Sequence, residues 1–456
     1  MVAADCRGVA VTVLHVTYTY PPAEGGGTEI YVAELCRHLR DLGVHSIVAA
    51  PRRDPGEAVI DGTPVYWFAA DPATQTIETL YGAGDPAASA AFSALLHRIR
   101  PDVVHQHAVS PACSVDLARR ATDTGVPVVC TVHTPAVFCQ QGSLLRWGRV
   151  PCDVAWAPAV CTDCVLHTRG APAPARALLR WLPARLTSTV TGTRQGGVWT
   201  AARMPTLMTT RLGEVDALFG LAARTVTLGP WTTALLRRNG VADERIVEVA
   251  HGTSTTPPIG KTRASRTGPR RLVGLGRLDR TKGFATAVAV VTARPDLAVT
   301  LDIFGLTTAV SADDERLAIE RAAAADARIR LHAAIPHNRV RETLTDFDAV
   351  IVPSQAFETG PLVVLEAFAA GVPVIGSRLG GLAEKIRHDV DGLLVDRFAD
   401  VDAWAATIAR CVDEPDLLPR LAAAVRPPRA MTDVAREMHA IYAAVTRGAA
   451  RKDRGA

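Results

Sequence analysis

Two hydrophobic periods alternate along the chain. Short apolar runs rich in β-branched residues, Val9–Val16, Val44–Ala49, Asp102–His105, Pro127–Thr131 and Thr225–Leu228, predict buried strands. Between them, the spacing of apolar positions predicts helices over Thr28–Leu42, Ser114–Thr124 and Trp231–Asn239. A second series starts at Leu272–Leu275 and continues through Val299–Phe304, Ile329–His332, Ala349–Val352, Val372–Gly376 and Gly392–Val395. Strands alternating with helices of about 10–15 residues imply βαβ units and a parallel sheet covered on both faces. The pattern therefore predicts an α/β protein built from two doubly wound domains.

Two stretches break the rhythm. Residues 139–220 hold clustered cysteines and a basic amphipathic piece in which Arg176, Arg180 and Arg185 alternate with Leu178, Leu179, Trp181 and Leu182. This predicts an insertion with its own helices. Residues 253–271 read TSTTPPIGKTRASRTGPRR, a polar, Pro-containing, basic composition typical of a linker. The predicted organisation is a first domain over 1–252, a linker over 253–271 and a second domain over 272–430. A final segment, 431–456, carries a helix around Ala435–Val445 and a polar tail.

Length agrees with more than one core, since 456 residues exceed the size at which a single core stops growing. A net charge of +4 is too small to imply a nucleic-acid partner, and mean hydropathy is +0.14. The longest apolar stretch, Leu362–Gly376, is interrupted by Glu366 and Pro373 and is too short to span a bilayer. No basic segment or small-residue cleavage site flanks Val9–Val16, so a cytoplasmic location is expected. The Arg176–Arg185 stretch either covers the first domain or makes a peripheral contact with anionic lipid on the inner membrane face.

In doubly wound sheets ligands bind beyond the carboxyl ends of the strands, so the loops there carry the candidate chemistry. Gly25-Gly26-Gly27 lies between a strand and a helix, where bare backbone and unpaired N–H groups suit an anion; a plain capped turn is the alternative. Gly276-Arg277-Leu278-Asp279-Arg280-Thr281-Lys282-Gly283 follows a strand and offers an arginine fork and a lysine point charge to a diphosphate, or else is a solvated basic turn. Ser354 to Glu366 follows the strand Ala349–Val352. It places Glu358 in a loop, Pro361 in the first turn of a helix and Glu366 within that helix, where two carboxylates suit sugar and ribose hydroxyls. For Glu366 a structural ion pair is the alternative.

Together these motifs resemble the retaining glycosyltransferases of the GT-B fold, family 4, over roughly Val9 to Val395. The family's E-x7-E pattern appears as Glu358 to Glu366, followed by Ala370-Gly-Val-Pro-Val-Ile and Gly380-Gly381-Leu-Ala-Glu384; the G-R-L…K-G element matches Gly276 to Gly283. The resemblance implies two Rossmann-like domains facing a central cleft and transfer of a sugar from a nucleoside-diphosphate donor with retention of configuration. By the same resemblance, Arg277 and Lys282 bind the diphosphate and Glu358 the donor sugar. Backbone amides of Thr359, Gly360, Pro361 and Leu362 line the sugar or phosphate, although proline itself brings no N–H. Glu366 takes the ribose, and Gly26, Gly27 and Gly276 approach the donor. His133, after the strand Pro127–Thr131, contacts the sugar. The final helix crosses back to the first domain. No metal or other cofactor is needed for catalysis, because the basic pair neutralises the leaving diphosphate. Two departures stand out: Glu358-Thr-Gly-Pro-Leu replaces the usual E-x-F-G-L, and His251-Gly252-Thr-Ser replaces N-G-V-D.

Cys139, Cys152, Cys161 and Cys164 form C-x12-C-x8-C-x2-C, and a subgroup with a four-cysteine insertion is implied. Four thiolates suit a structural zinc ion; free thiols, a disulfide and an iron–sulfur site are the alternatives. Cys6, Cys36, Cys113, Cys130 and Cys411 lie in or beside predicted core elements and are expected to be inert. Two other functions share the scaffold: a sugar-nucleotide 2-epimerase and a non-catalytic nucleotide-sugar binding protein. Donor base, donor sugar and acceptor are not written in these motifs.

Overall fold

Each run predicted as a strand holds one in the computed structural model, which describes residues 11–21, 26–152, 156–182, 196–254, 268–306 and 314–453, so that Val9 and Ala10 of the first run lie outside it. The chain divides into two compact units, Met1–Ala250 with Met431–Ala456, and His251–Ala430.

The first unit contains β1 (Thr12–Val16), β2 (His45–Arg52), β3 (Gly56–Ile60), β4 (Thr63–Ala69), β5 (Val103–Gln106), β6 (Val128–Thr131), β7 (Leu145–Arg146), β8 (Val150–Pro151), β9 (Arg224–Thr227) and β10 (Ile246–Glu248). Eight of these make one sheet in the order β10-β9-β6-β5-β1-β2-β4-β3, parallel except for β3, which runs antiparallel to β4. The β3–β4 hairpin was not predicted. It turns at Asp61-Gly62, both with positive φ, a dipeptide that favours such turns. β7 and β8 form a separate two-stranded hairpin inside the insertion.

Packing explains why the chain's last helix, Met431–Asp453, belongs to this unit. Its Val434, Met438 and Tyr442 are buried in one cluster with Tyr31, Leu35 and Leu39 of the helix Gly27–Arg40. A helix with such an apolar stripe gains stability by covering a sheet-side helix rather than by standing alone.

The second unit contains β11 (Arg270–Leu275), β12 (Val299–Leu306), β13 (Ile329–Ala333), β14 (Ala349–Val352), β15 (Val374–Ser377) and β16 (Gly392–Val395). All are parallel, in the order β13-β12-β11-β14-β15-β16. Renumbered within the unit this is 3-2-1-4-5-6, the doubly wound nucleotide-binding order. Trp404 and the Val401–Asp413 helix close one face.

The predicted linker needs correction at its end. Arg270 and Arg271 are not linker but the first residues of β11, paired with Val299 and Thr300. Their charged ends reach out of the sheet: Arg270 Nε donates to Cys411 O at 3.0 Å, and Arg271 lies over the Phe347 ring. At the other end Thr253 bridges to Ala430 within the second unit. The middle of the predicted linker lies outside the described residues, as do Cys6, Gly25 and Arg185.

Candidate functional site

In the second unit the switch point lies between β11 and β14, which pair through Leu272↔Ala349 and Val273↔Val350. The chain leaves these neighbours toward opposite sides of the sheet, which opens a crevice at their carboxyl ends. The loops emerging there are Gly276–Gly283 and Pro353–Pro361, the two segments singled out in the sequence.

Backbone contacts lock the loops together. Gln355 N donates to Thr281 O at 2.8 Å. Gly283 sits at φ +69°, and a Cβ there would lie 2.0 Å from Pro353 O, so only glycine allows the approach. Across this seam Lys282 Nζ donates to Glu358 Oε1 at 3.0 Å, and Ser354 Oγ donates to the same oxygen at 2.5 Å. Gly381 supports the loop from beneath: its N–H donates to Glu358 O at 2.8 Å, and a Cβ would lie 2.7 Å from that oxygen.

Arg277 remains largely in solvent, its side chain 61% exposed, with Nε donating to Asp279 Oδ2 at 2.8 Å. Burial works to raise the Asp279 carboxyl, but hydrogen bonds from Thr281, Arg277 and the Lys282 amide outweigh it and hold the carboxyl below its ordinary value. An ionised Asp279 thus braces the Arg277–Lys282 turn.

Pro361 caps the helix Leu362–Ala369 rather than occupying its first turn as predicted; its extended ψ of 102° keeps it outside the helix. Leu362 is the first helical residue, so N–H groups of this turn face the loop end of the helix. Glu366 lies in the helix, and its Oε1 is 3.0 Å from His337 Nδ1. The structural ion-pair alternative for Glu366 therefore has a specific partner, one that sequence reasoning missed.

The first unit has the corresponding switch point between β1 and β5, which pair through His15↔His105. Gly26 caps the helix Gly27–Arg40, and its N–H donates to Glu29 Oε2 at 2.7 Å. Beyond β6, His133 stands at the end of a row of imidazoles. His107 Nδ1 and His133 Nε2 are 3.0 Å apart, His15 Nδ1 and His107 Nε2 3.1 Å, and His15 Nε2 lies 3.3 Å from Ser46 Oγ. Beside this row His105 bonds Tyr442 Oη and Thr131 Oγ1, each at 2.7 Å.

Burial lowers all four imidazoles, His15 and His133 to about 3 and His105 and His107 well below the ordinary value, with neighbouring imidazoles adding to the last two. The row is neutral at physiological pH. Each of His15 and His107 then donates with one nitrogen and accepts with the other, so the tautomers of His15, His107 and His133 are set together. His15, His105 and His107 bring one donor atom each within 4.8 Å, as metal ligands do, yet their ring nitrogens already bond one another, Ser46, Tyr442 and Thr131. Sequence reasoning found His133 and missed the rest of the row. The signal was V-V-H-Q-H, two histidines two apart at the carboxyl end of a strand and hence on one face.

The first unit also has a cavity of about 310 Å³ lined by Ser110, Ser114, Gln140, Gln141, Arg211 and others. Ser114 Oγ and Arg211 Nε are buried without a hydrogen-bond partner among the described residues. Arg176, the start of the basic stretch, is occupied otherwise: its Nη1 donates to buried Asp163 at 3.0 Å. Among the described residues no helix is long and apolar enough to cross a membrane.

Comparison with known proteins follows the same two-unit division. The family model for glycosyl transferases group 1 matches residues 259–426, and that for the glycosyl transferase 4-like domain matches residues 26–162. A D-inositol 3-phosphate glycosyltransferase of Acidothermus cellulolyticus is 28% identical over 446 residues, covering 89% of this chain and 83% of the relative. A glycogen synthase of Mycobacterium tuberculosis is 26% identical over 437 residues, covering 91% and 89%. Among solved structures, sucrose-phosphate synthase from Thermosynechococcus elongatus superimposes with a TM-score of 0.67 at 21% identity, over 96% of this chain and all (100%) of that one. Anabaena HepE, solved with UDP-glucose, gives 0.61 at 14% identity, over 95% and 99%.

Proposed function

The chain belongs to the glycosyl transferases group 1 family and has the GT-B fold, and from that premise we propose that it moves a sugar from a nucleoside-diphosphate donor to a polar acceptor with retention of configuration. The observation that carries this reading is the seam at the second unit's switch point, where Lys282, Glu358 and Ser354 meet beside Arg277.

The diphosphate is the leaving group, and its charge grows as the sugar–phosphate bond breaks. Arg277 and Lys282 stabilise that charge, as fixed cations do where charge develops. No divalent cation enters this scheme. Before donor binding, Glu358 and Ser354 hold Lys282 in the loop, so the ammonium needs little reorganisation to meet phosphate oxygens. Glu358 then takes sugar hydroxyls and Glu366 ribose hydroxyls, His337 orienting the latter carboxylate. Amides of Thr359, Gly360 and Leu362 take sugar or phosphate oxygens, with Gly276 giving close backbone approach. In the first unit Gly26 and Gly27 present bare backbone at a helix N-terminus, and His133 presents a neutral imidazole whose tautomer the row behind it sets. The cavity lined by Ser110, Gln140, Gln141 and Arg211 receives the acceptor, its polar side chains suiting a ligand rich in oxygen.

Thermal shift with a panel of nucleoside diphosphates and their sugars tests the donor site, since a ligand of the native state raises the melting temperature with its concentration over Kd. One nucleotide is expected to stabilise the wild type and to lose its effect in Arg277→Ala and Lys282→Ala. No stabilisation by any of them at millimolar concentration sinks the reading. A 2-epimerase would convert the donor sugar without an acceptor, and a binding protein would show the shift but no turnover.

A further inference from the structure

Four cysteines that are scattered over 26 residues of sequence meet around one small cavity in the first unit. Cys139 follows the 3-10 turn Pro135–Val137, its N–H donating to Pro135 O at 2.8 Å. Cys152 follows β8, its N–H donating to Leu144 O at 2.8 Å. Cys161 and Cys164 sit one turn apart on one face of the helix Pro158–Thr168. Phe138, Leu144, Leu145, Trp156, Val165 and Met208 make most of the remaining wall, with Gln140, Gln141 and Arg146.

The surroundings are those of a thiolate cluster rather than of inert core thiols. The Trp147 N–H donates to Cys164 Sγ at 3.2 Å, the kind of backbone bond that orients a metal-bound sulfur. Arg146 lines the cavity and Arg211 lies near Cys139, so two guanidinium groups stand where four thiolates around a dication would leave net negative charge. β7 and β8 have two residues each, and Leu144 and Trp147 around them hold positive φ, a short hairpin that a bound ion would brace.

We propose that Cys139, Cys152, Cys161 and Cys164 bind one zinc ion as four thiolates, and that this ion fixes the Cys139–Gly142 wall of the neighbouring 310 Å³ cavity. The choice of ion follows from the ligand set: four thiolates suit a tetrahedral zinc ion, and an iron–sulfur cluster is an outcome the test below separates. No disulfide joins any of the described cysteines, which leaves the four sulfurs available as ligands. The sulfurs are spaced more widely than the donors of a closed site, because among the described residues only the three histidines bring donors within 4.8 Å of one another. Binding therefore draws the four sulfurs closer together. Cys139 lines both cavities, so the same movement sets the acceptor-side wall.

The test is metal analysis of the full chain purified without chelator. About one zinc per chain is expected, lost in Cys161→Ser and Cys164→Ser and kept in Cys411→Ser, whose thiol lies in the second unit. Exchange into cobalt(II) is expected to give the strong thiolate-to-metal charge-transfer band of a four-sulfur site. Should the variants not fold, thiol titration of the wild type before and after chelation reads the same site, four thiols becoming reactive together. Protein without stoichiometric zinc that takes up no cobalt, or protein carrying iron and acid-labile sulfide, overturns the assignment. The link to the neighbouring wall rests on the glycosyltransferase reading: chelation should raise the acceptor KM and leave nucleotide affinity unchanged. Metal stoichiometry is independent of that reading, so the two can fail separately.

Discussion

Lowering the pH from 7.5 to 5.5 should destabilise the first unit by about 4 kcal/mol through three histidines alone. His15, His105 and His107 are fully or almost fully buried, and burial holds each far below the ordinary histidine value of about 6.5, His15 at about 3. Because the folded values are the lower ones, this stability is complete above pH 6.5 and is lost as pH falls toward 3. At pH 5.5 the unfolded chain protonates each imidazole almost completely while the folded unit protonates none, which favours unfolding by about 1.4 kcal/mol per group. The sum is a large share of the roughly 5–15 kcal/mol that stabilises a domain. Carboxylates stay mostly ionised across this window, and His133, which is partly exposed, is left out of the sum. Hydrogen exchange read by mass spectrometry on β1, β5 and β6 peptides isolates the first unit from the second. In His107→Gln the same pH step should cost about 1.4 kcal/mol less. A protection profile that does not change between pH 7.5 and 5.5, or a loss equal in wild type and variant, would refute the neutral-array reasoning.

Other perturbations follow from the same contacts. Glu358→Gln keeps the shape of the loop but weakens the bond to Lys282, so turnover should fall at least tenfold while nucleoside-diphosphate affinity, read by calorimetry, changes little. Gly283→Ala forces a Cβ against Pro353 O at positive φ and should cost about 1–3 kcal/mol of second-unit stability in urea melts, with loss of nucleotide binding. Tyr442→Phe removes the hydroxyl bonded to His105 and should destabilise the first unit by about 1 kcal/mol, leaving nucleotide affinity at the second unit unchanged. Glu366→Gln breaks the pair with His337 and should weaken nucleotide binding more than it lowers the turnover of bound donor.

The second unit was the more legible half. Its strands β14, β15 and β16 are buried at every position, and its loops carry glycines, a basic pair and two carboxylates at fixed spacing, so the local pattern is easily read. Residues of the first unit act through partners distant in sequence. His105 is 337 positions from Tyr442 and 92 separate His15 from His107, so no window of the chain displays the row. The hairpin at Asp61-Gly62 is a different case: its turn dipeptide stood in the sequence and was passed over because the strands around it carry exposed and half-buried residues without a clean alternation.

By itself the amino-acid order determined what depends on near neighbours: which runs become strands, where glycine permits a turn, and that the loops after β11 and β14 carry glycines, a basic pair and two carboxylates. Tertiary structure alone decided what depends on which strands lie side by side. It set β11 against β14, so that Lys282 and Glu358, 76 positions apart, share a hydrogen bond. It stacked His15 beside His105 and returned the last helix to the first unit, and it brought four separated cysteines to one cavity. The physical reason is that hydrophobic periodicity specifies that a face is to be buried, whereas only the packing of the whole core specifies against what.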